Sequence, residues 1–204
     1  MTAAAALEQT SRLRVVHDGS ARDADRARAA AEAFLRALGV PVDDPGLEDT
    51  PRRMVDAYTE LLTPRPFDLT TFPNEDGYDE LVLARGIPVR SVCEHHVLPF
   101  TGVAHVGYLP GERIVGLSKL ARVVELFARR PQVQERLTVQ VARWLETRLH
   151  PRGVGVVVEA EHLCMTLRGV QAPGTTTTTS ALLGTVREDP RTRAEFLSLT
   201  RGGA

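Results

Sequence analysis

Cysteine is scarce in this chain. Cys93 and Cys164 are the only two among 204 residues, which excludes a disulfide-stapled scaffold, and a chain long enough to bury an ordinary core gains little from one bridge. Metal ligation is the better use for the pair. A surplus of charge is lacking too: the net charge is -1, whereas a dedicated nucleic-acid binder usually carries an excess of Lys and Arg. Any anion is therefore bound locally. No apolar run approaches the roughly 20 residues of a membrane-spanning helix, and Met1–Leu7 offers neither a basic n-region nor a sustained apolar stretch. The expectation is a cytoplasmic protein with no membrane and no nucleic-acid partner. Lysine is rarest of all, with Lys119 standing alone among arginines. The plain alternative is chance, but Arg and Lys are not interchangeable where a compact point charge is wanted.

What is present is ordinary globular material, 43% hydrophobic and 25% charged, and the natural count is one domain with appendages. Residues 1–20 are small, polar and aperiodic and read as a mobile tail, with a single domain over 21–204. Within it, Asp23–Leu38 and Thr50–Leu62 carry apolar residues at helical spacing, the second opened by Asp49-Thr50-Pro51 as an N-cap and first-turn proline. This helical part spans 21–63. The Pro, Asn, Asp and Gly content between Pro64 and Tyr78 reads as a loop.

Over 79–200 the period alternates. Leu81–Val92 and Gly102–Leu109 read as strands, Leu117–Ala128 and Val133–Leu149 as helices split at Pro131, Val154–Glu161 and Thr175–Leu183 as strands, and Asp189-Pro190 opens a last helix. Strands grouped in adjacent pairs imply an antiparallel sheet with helices on one face, an α+β fold. The threonine run Thr175–Thr179 suits a strand with a wet face.

Ser91-Val92-Cys93-Glu94-His95-His96-Val97-Leu98-Pro99-Phe100 places a thiol and two imidazoles within four residues between strands. Cys93 and His96, three apart across a turn, make half of a zinc site, and His95 is left free as an acid or base. Glu161-His162-Leu163-Cys164 ends the third strand. If Cys164 joins, a Cys₂His set leaves a fourth position open for water, which means catalysis. Residues two apart on a strand share a face, so His162 could equally close the shell as a fourth, structural ligand. Between these clusters, Ser118, Lys119 and Arg122 lie at a helix start, where backbone N–H groups and added cations favour an anion such as a polyphosphate. Glu135 stands at the next helix start, where an ordinary first-turn acid would also be found.

These pieces together, with Gly116-Leu117-Ser118-Lys119, Arg130-Pro131-Gln132-Val133-Gln134-Glu135-Arg136-Leu137, His162-x-Cys164-Met165 and Arg168-Gly169-Val170, resemble the zinc-dependent GTP cyclohydrolase I family over roughly residues 25–200. Several motifs in register are far more specific than a lone Cys-x-x-His. The resemblance implies conversion of GTP and water to 7,8-dihydroneopterin triphosphate and formate, an opening step of pterin or folate-type biosynthesis. It implies Zn²⁺ on Cys93, His96 and Cys164, with His95 and His162 moving protons and Ser118 acting in the ribose rearrangement. It further implies Glu135 and Gln134 on the guanine, and Lys119, Arg122, Arg168 and Arg53 on the triphosphate. A tunnelling-type fold and a homodecamer of two pentamers, with active sites between subunits, are inherited expectations. Two rivals remain. A zinc nucleoside deaminase needs His-x-Glu followed by Pro-Cys-x-x-Cys, which Cys164 does not supply; a non-catalytic zinc-stabilised oligomer or purine-nucleotide binding protein needs the closed shell.

Overall fold

The computed structural model describes residues 11–15 and 23–201. Two helices come first, α1 (Ala24–Ala37) and α2 (Thr50–Leu61). Asp23 caps α1, its carboxylate accepting from the Arg26 N–H at 2.9 Å. Asp49 precedes α2 but makes no capping bond; its carboxylate pairs with Arg52 and Arg53 instead. The expected side-chain cap is thus absent, and Pro51, which has no N–H to satisfy, carries the helix start.

A five-stranded sheet follows, in the order β6-β3-β4-β7-β8. Its members are β3 (Val82–Cys93), β4 (Pro99–Leu109), β6 (Pro131–Gln132), β7 (Gly153–His162) and β8 (Thr176–Gly184). All neighbours are antiparallel except the short β3–β6 pair. Gly86, at φ +65, lies in a bulge between Ala84 and Ile87, where the β3–β4 register shifts. That left-handed angle is open to glycine and strained for other residues.

Helices α3 (Leu117–Ala128) and α4 (Gln134–Leu149) pack on one face of this sheet. Leu120, Val123, Leu137, Val141 and Leu145 from the helices meet Phe100, Ala104, Val106, Val154 and Val156 from the strands in the main core. The helical and the two-residue periods each deliver their apolar side chains to this seam.

Several elements depart from the sequence expectation. The loop expected over 64–78 contains a strand, β2 (Phe67–Pro73), with alternating burial. Its prolines sit at or outside its ends, and it forms a second, three-stranded sheet with β5 (Arg113–Val115) and β1 (Ser11–Val15). Ser11–Val15, read as tail, is therefore paired backbone; residues 1–10 and 16–20 of that segment lie outside the described residues.

The helices do not all lie on one face either. After the turn α6 (Thr185–Glu188), the last helix, α7 (Pro190–Arg201), covers the opposite face at one end. Its Phe196 is fully buried there with Leu109, Val157 and Val186. A Cβ on Gly107 would come within 3.1 Å of that ring, and on Gly155 within 2.7 Å. Both glycines are therefore part of the ring's seat, and emptying a closed aromatic site of this kind costs about 3–5 kcal/mol.

Candidate metal centre

The site lies where β3 and β7 end on the same side of the sheet. Cys93, the last residue of β3, is buried, and the chain turns tightly after it: Cys93 N–H donates to the Leu98 carbonyl and Val97 N–H to the Cys93 carbonyl, both at 2.8 Å. Glu94 N–H donates to Gln132 of β6 at 3.0 Å, and Arg136 of α4 pairs with the Glu94 carboxylate. Val97 closes the turn at φ +56, an angle costly for a β-branched residue. Tyr58 of α2 donates to its carbonyl at 2.9 Å, so the N-terminal helices help hold the turn.

At the other strand end β7 stops at His162, and Leu163–Thr166 form a single helical turn, α5. That turn takes Cys164 off the extended strand on which it would share a face with His162. Among the described residues, the group with ligand atoms all within 4.8 Å of one another is Cys93, His96 and Cys164. His162 is not in it.

Donor chemistry and distance both suit zinc. Cys93 Sγ and His96 Nδ1 stand 3.6 Å apart. A tetrahedral zinc with S at about 2.3 Å and N at about 2.0–2.1 Å separates such atoms by about 3.6 Å. Both cysteines are free. Burial, then the neighbouring Cys93 sulfur, pushes the Cys164 thiol up, a state that a bound cation reverses by favouring the thiolate.

His162 is held beside this group. Its ring stacks on Phe100, its cross-strand partner, with centroids 4.5 Å apart and planes at 12°. Its Nε2 meets the Gln134 Oε1 at 2.8 Å. Burial lowers its pKa, and the nearby Glu135 charge only partly opposes that, so the neutral ring is favoured. His95 differs: it is largely exposed, 3.6 Å from the Glu94 carboxylate and edge-on to His96.

The remaining candidates divide. Glu135 is exposed on the first turn of α4, while Gln134 beside it is buried, its amide bonded to Val158, Thr177 and Thr179. The Gln134 side-chain nitrogen is thus engaged within the chain, while its backbone remains the other route by which the expected guanine contact could be made. Arg168 is exposed and close enough to Cys164 to be felt as charge. Ser118 is exposed at the start of α3, with Lys119 and Arg122 half-buried after it. Arg122 pairs with Glu125 at 3.2 Å, and Arg53 pairs with Asp49 on α2. Among the described residues, no hydrogen bond or ion pair joins these four to the metal group. Phe100 was signalled only by its place after the Cys93 turn, and nothing local marks Tyr58 or Thr179.

The family model for GTP cyclohydrolase I matches residues 27–201. The chain belongs to the GTP cyclohydrolase I family. It is 50% identical to GTP cyclohydrolase 1 of Aquifex aeolicus (strain VF5) over 180 residues, covering 88% of this chain and 98% of that protein. It is 55% identical to the protein of that name from Mycobacterium ulcerans (strain Agy99) over 183 residues, covering 87% and 90%. To the one from Thermobifida fusca (strain YX) it is 53% identical over 185 residues, covering 88% and 89%. No described helix is long and apolar enough to cross a membrane.

Proposed function

We propose that this chain is a zinc-dependent GTP cyclohydrolase I, opening the guanine imidazole ring of GTP at C8, releasing formate and forming 7,8-dihydroneopterin triphosphate. The observation that carries the reading is a three-ligand Cys93–His96–Cys164 group with His162 bonded to Gln134 instead of completing it. Three protein ligands leave a position open, as a catalytic zinc requires. The non-catalytic alternative needs His162 as the fourth ligand, and that side chain is engaged elsewhere.

Zinc bound there supplies Lewis-acid activation of water near neutral pH. His162, neutral and held on edge and face, moves protons at the guanine nitrogens and the ribose oxygen, and the exposed His95 serves the other side of the reacting ring. Glu135 accepts from the adjacent N1–H and N2–H donors of guanine. Lys119, Arg122, Arg168 and Arg53 meet the triphosphate, and Ser118 acts in the ribose rearrangement. Residues 21–204 work as one domain in the cytoplasm.

The catalytic unit is an assembly of ten copies, two stacked pentamers. Exposed apolar side chains next to site residues support this: Val97 beside His96, Leu117 beside Ser118, and Leu167 and Val170 flanking Arg168. Among the described residues, no hydrogen bond or ion pair ties Lys119, Arg122 or Arg53 to the metal group, as expected of residues that meet it from a neighbouring copy.

Steady-state formate release from GTP by the zinc-loaded protein and its Glu135→Ala variant tests the reading. The variant is expected to retain zinc and assembly while kcat/KM falls by at least ~10²-fold, since it leaves two donors of the bound base unpaired. A loss below about threefold would return Glu135 to the role of a helix-start acid, and absence of formate release from GTP by the zinc-loaded parent would remove GTP as the substrate.

A further inference from the structure

We propose that Gln134 is a positioning residue for His162: its buried carboxamide, clamped by Val158, Thr177 and Thr179, accepts from the imidazole Nε2–H and fixes the orientation of the ring. This rests on the proposed role of His162 as a proton carrier.

The proton assignment follows from which neighbours can donate. Gln134 is 2% exposed, and its Nε2 lies 3.0 Å from the Val158 carbonyl oxygen and 2.8 Å from that of Thr177. Both neighbours are acceptors only, so the amide nitrogen must face them. The flipped amide would set Oε1 against two carbonyl oxygens in a buried site, which carries the penalty of unpaired buried groups. With Nε2 fixed, Oε1 is the atom 2.8 Å from His162 Nε2. An amide oxygen only accepts. The histidine Nε2 must therefore carry hydrogen.

A second chain of bonds locks the amide in place. Thr138 Oγ1 donates to the Gln134 backbone carbonyl at 2.8 Å, which uses its one hydrogen. In the 2.6 Å contact between Thr138 and Thr179 hydroxyls, Thr179 is then the donor. Its lone pairs stay available to the Gln134 Nε2 at 3.2 Å. The hydroxyl hydrogens of Thr179 and Thr138 and the His162 Nε2–H each have one acceptor, and the two Gln134 amide hydrogens are shared among three. Thr179 sits within the threonine run otherwise explained by strand propensity alone.

The consequence is positional. The bond to Gln134 at 2.8 Å and the stack on Phe100, with planes at 12°, together hold one imidazole orientation.

A double-mutant cycle on the zinc-loaded enzyme tests this, with Gln134→Met, which keeps the side-chain volume, His162→Ala, and the two combined. Gln134→Met is expected to lower kcat ~10–100-fold, as loss of a histidine-orienting partner does, with KM within about threefold and zinc retained. Acting only through His162, it should add no further loss in the His162→Ala background. Thr179→Val should give a smaller kcat loss that also vanishes in that background, and Thr179→Ser should restore activity. Losses that multiply in the double mutant, or a raised KM with kcat intact, would overturn the positioning role while leaving His162 a proton carrier. Full activity of His162→Ala would instead remove the underlying reading and this one with it. If Gln134→Met fails to assemble, the Thr179→Val cycle decides by the same criterion.

Discussion

At the ends of β3 and β7, Cys93, His96, Cys164 and His162 are held by bonds arriving from β6, α2, α4 and β4, whereas Ser118, Lys119 and Arg122 stand at the start of α3 with a single ion pair, to Glu125, among them. The first region is finished within one chain. The second is left open toward whatever lies beyond it. Proton transfer and metal ligation tolerate little displacement, and the groups proposed for them are the ones locked by packing and second bonds. A polyphosphate, carrying several charges over a longer reach, can be met by flexible side chains that close on it.

The sharpest break of that contrast lies in the metal corner. Cys164→Ser should abolish both zinc retention and turnover, read by metal analysis and formate release, because two ligands cannot hold the ion that three can. His95→Ala should instead keep its zinc while activity falls ~10²–10⁴-fold, the usual worth of a positioned acid or base. Retention of metal and full activity in Cys164→Ser would dissolve the distinction between a built half and an open half.

On the open side the expected effect is smaller. Lys119→Ala should leave zinc content and folding unchanged and lower kcat/KM for GTP ~10-fold or more, the order of a hydrogen bond to a charged group at about 1.5–3 kcal/mol. Measured against salt, the variant should be less sensitive than the parent. An unchanged salt response would mean that the solitary lysine does not meet the phosphates.

The smallest effect concerns Glu125, which restrains the open side. Burial alone would raise its carboxyl, but hydrogen bonds and charge from Arg65, with Arg129 adding to them, hold it at about 2, below the ordinary 4.5. A depressed carboxyl stabilises the fold in full above about pH 4.5, and that contribution is lost as pH falls through about 2. With Arg65 63% exposed, solvent screening leaves at most about 1 kcal/mol. Glu125→Gln should lose that much in denaturant unfolding at neutral pH and flatten the decline between pH 4.5 and 2. An unaltered acid profile would remove Glu125 as the anchor of these arginines.

Helices α3, α4 and α7 and the long strands were legible because their apolar residues recur at 3.6 or 2, a property of the chain itself. The metal turn was legible for a similar reason: Cys93 and His96 are close along the chain, so any tight turn brings them together. Strand β2 was masked by flanking prolines and by its partners, Ser11–Val15 and Arg113–Val115, which lie far off in sequence. The α5 turn was hidden because Leu163–Thr166 continues an apolar strand without a break in composition.

By itself, then, the order of residues determined the α+β class, the ligand types and the family to which they point, since each rests on local spacing or on motifs in register. Only the tertiary structure brings Cys93, His96 and Cys164 together without His162 and turns the Gln134 amide inward to meet that ring. His162 and Gln134 are 28 residues apart, and the Thr179 that completes the clamp is 45 residues from Gln134. No local period links such positions. A hydrogen bond between them exists only once β7, β8 and α4 are packed, when the cost of an unpaired buried amide leaves it a single orientation.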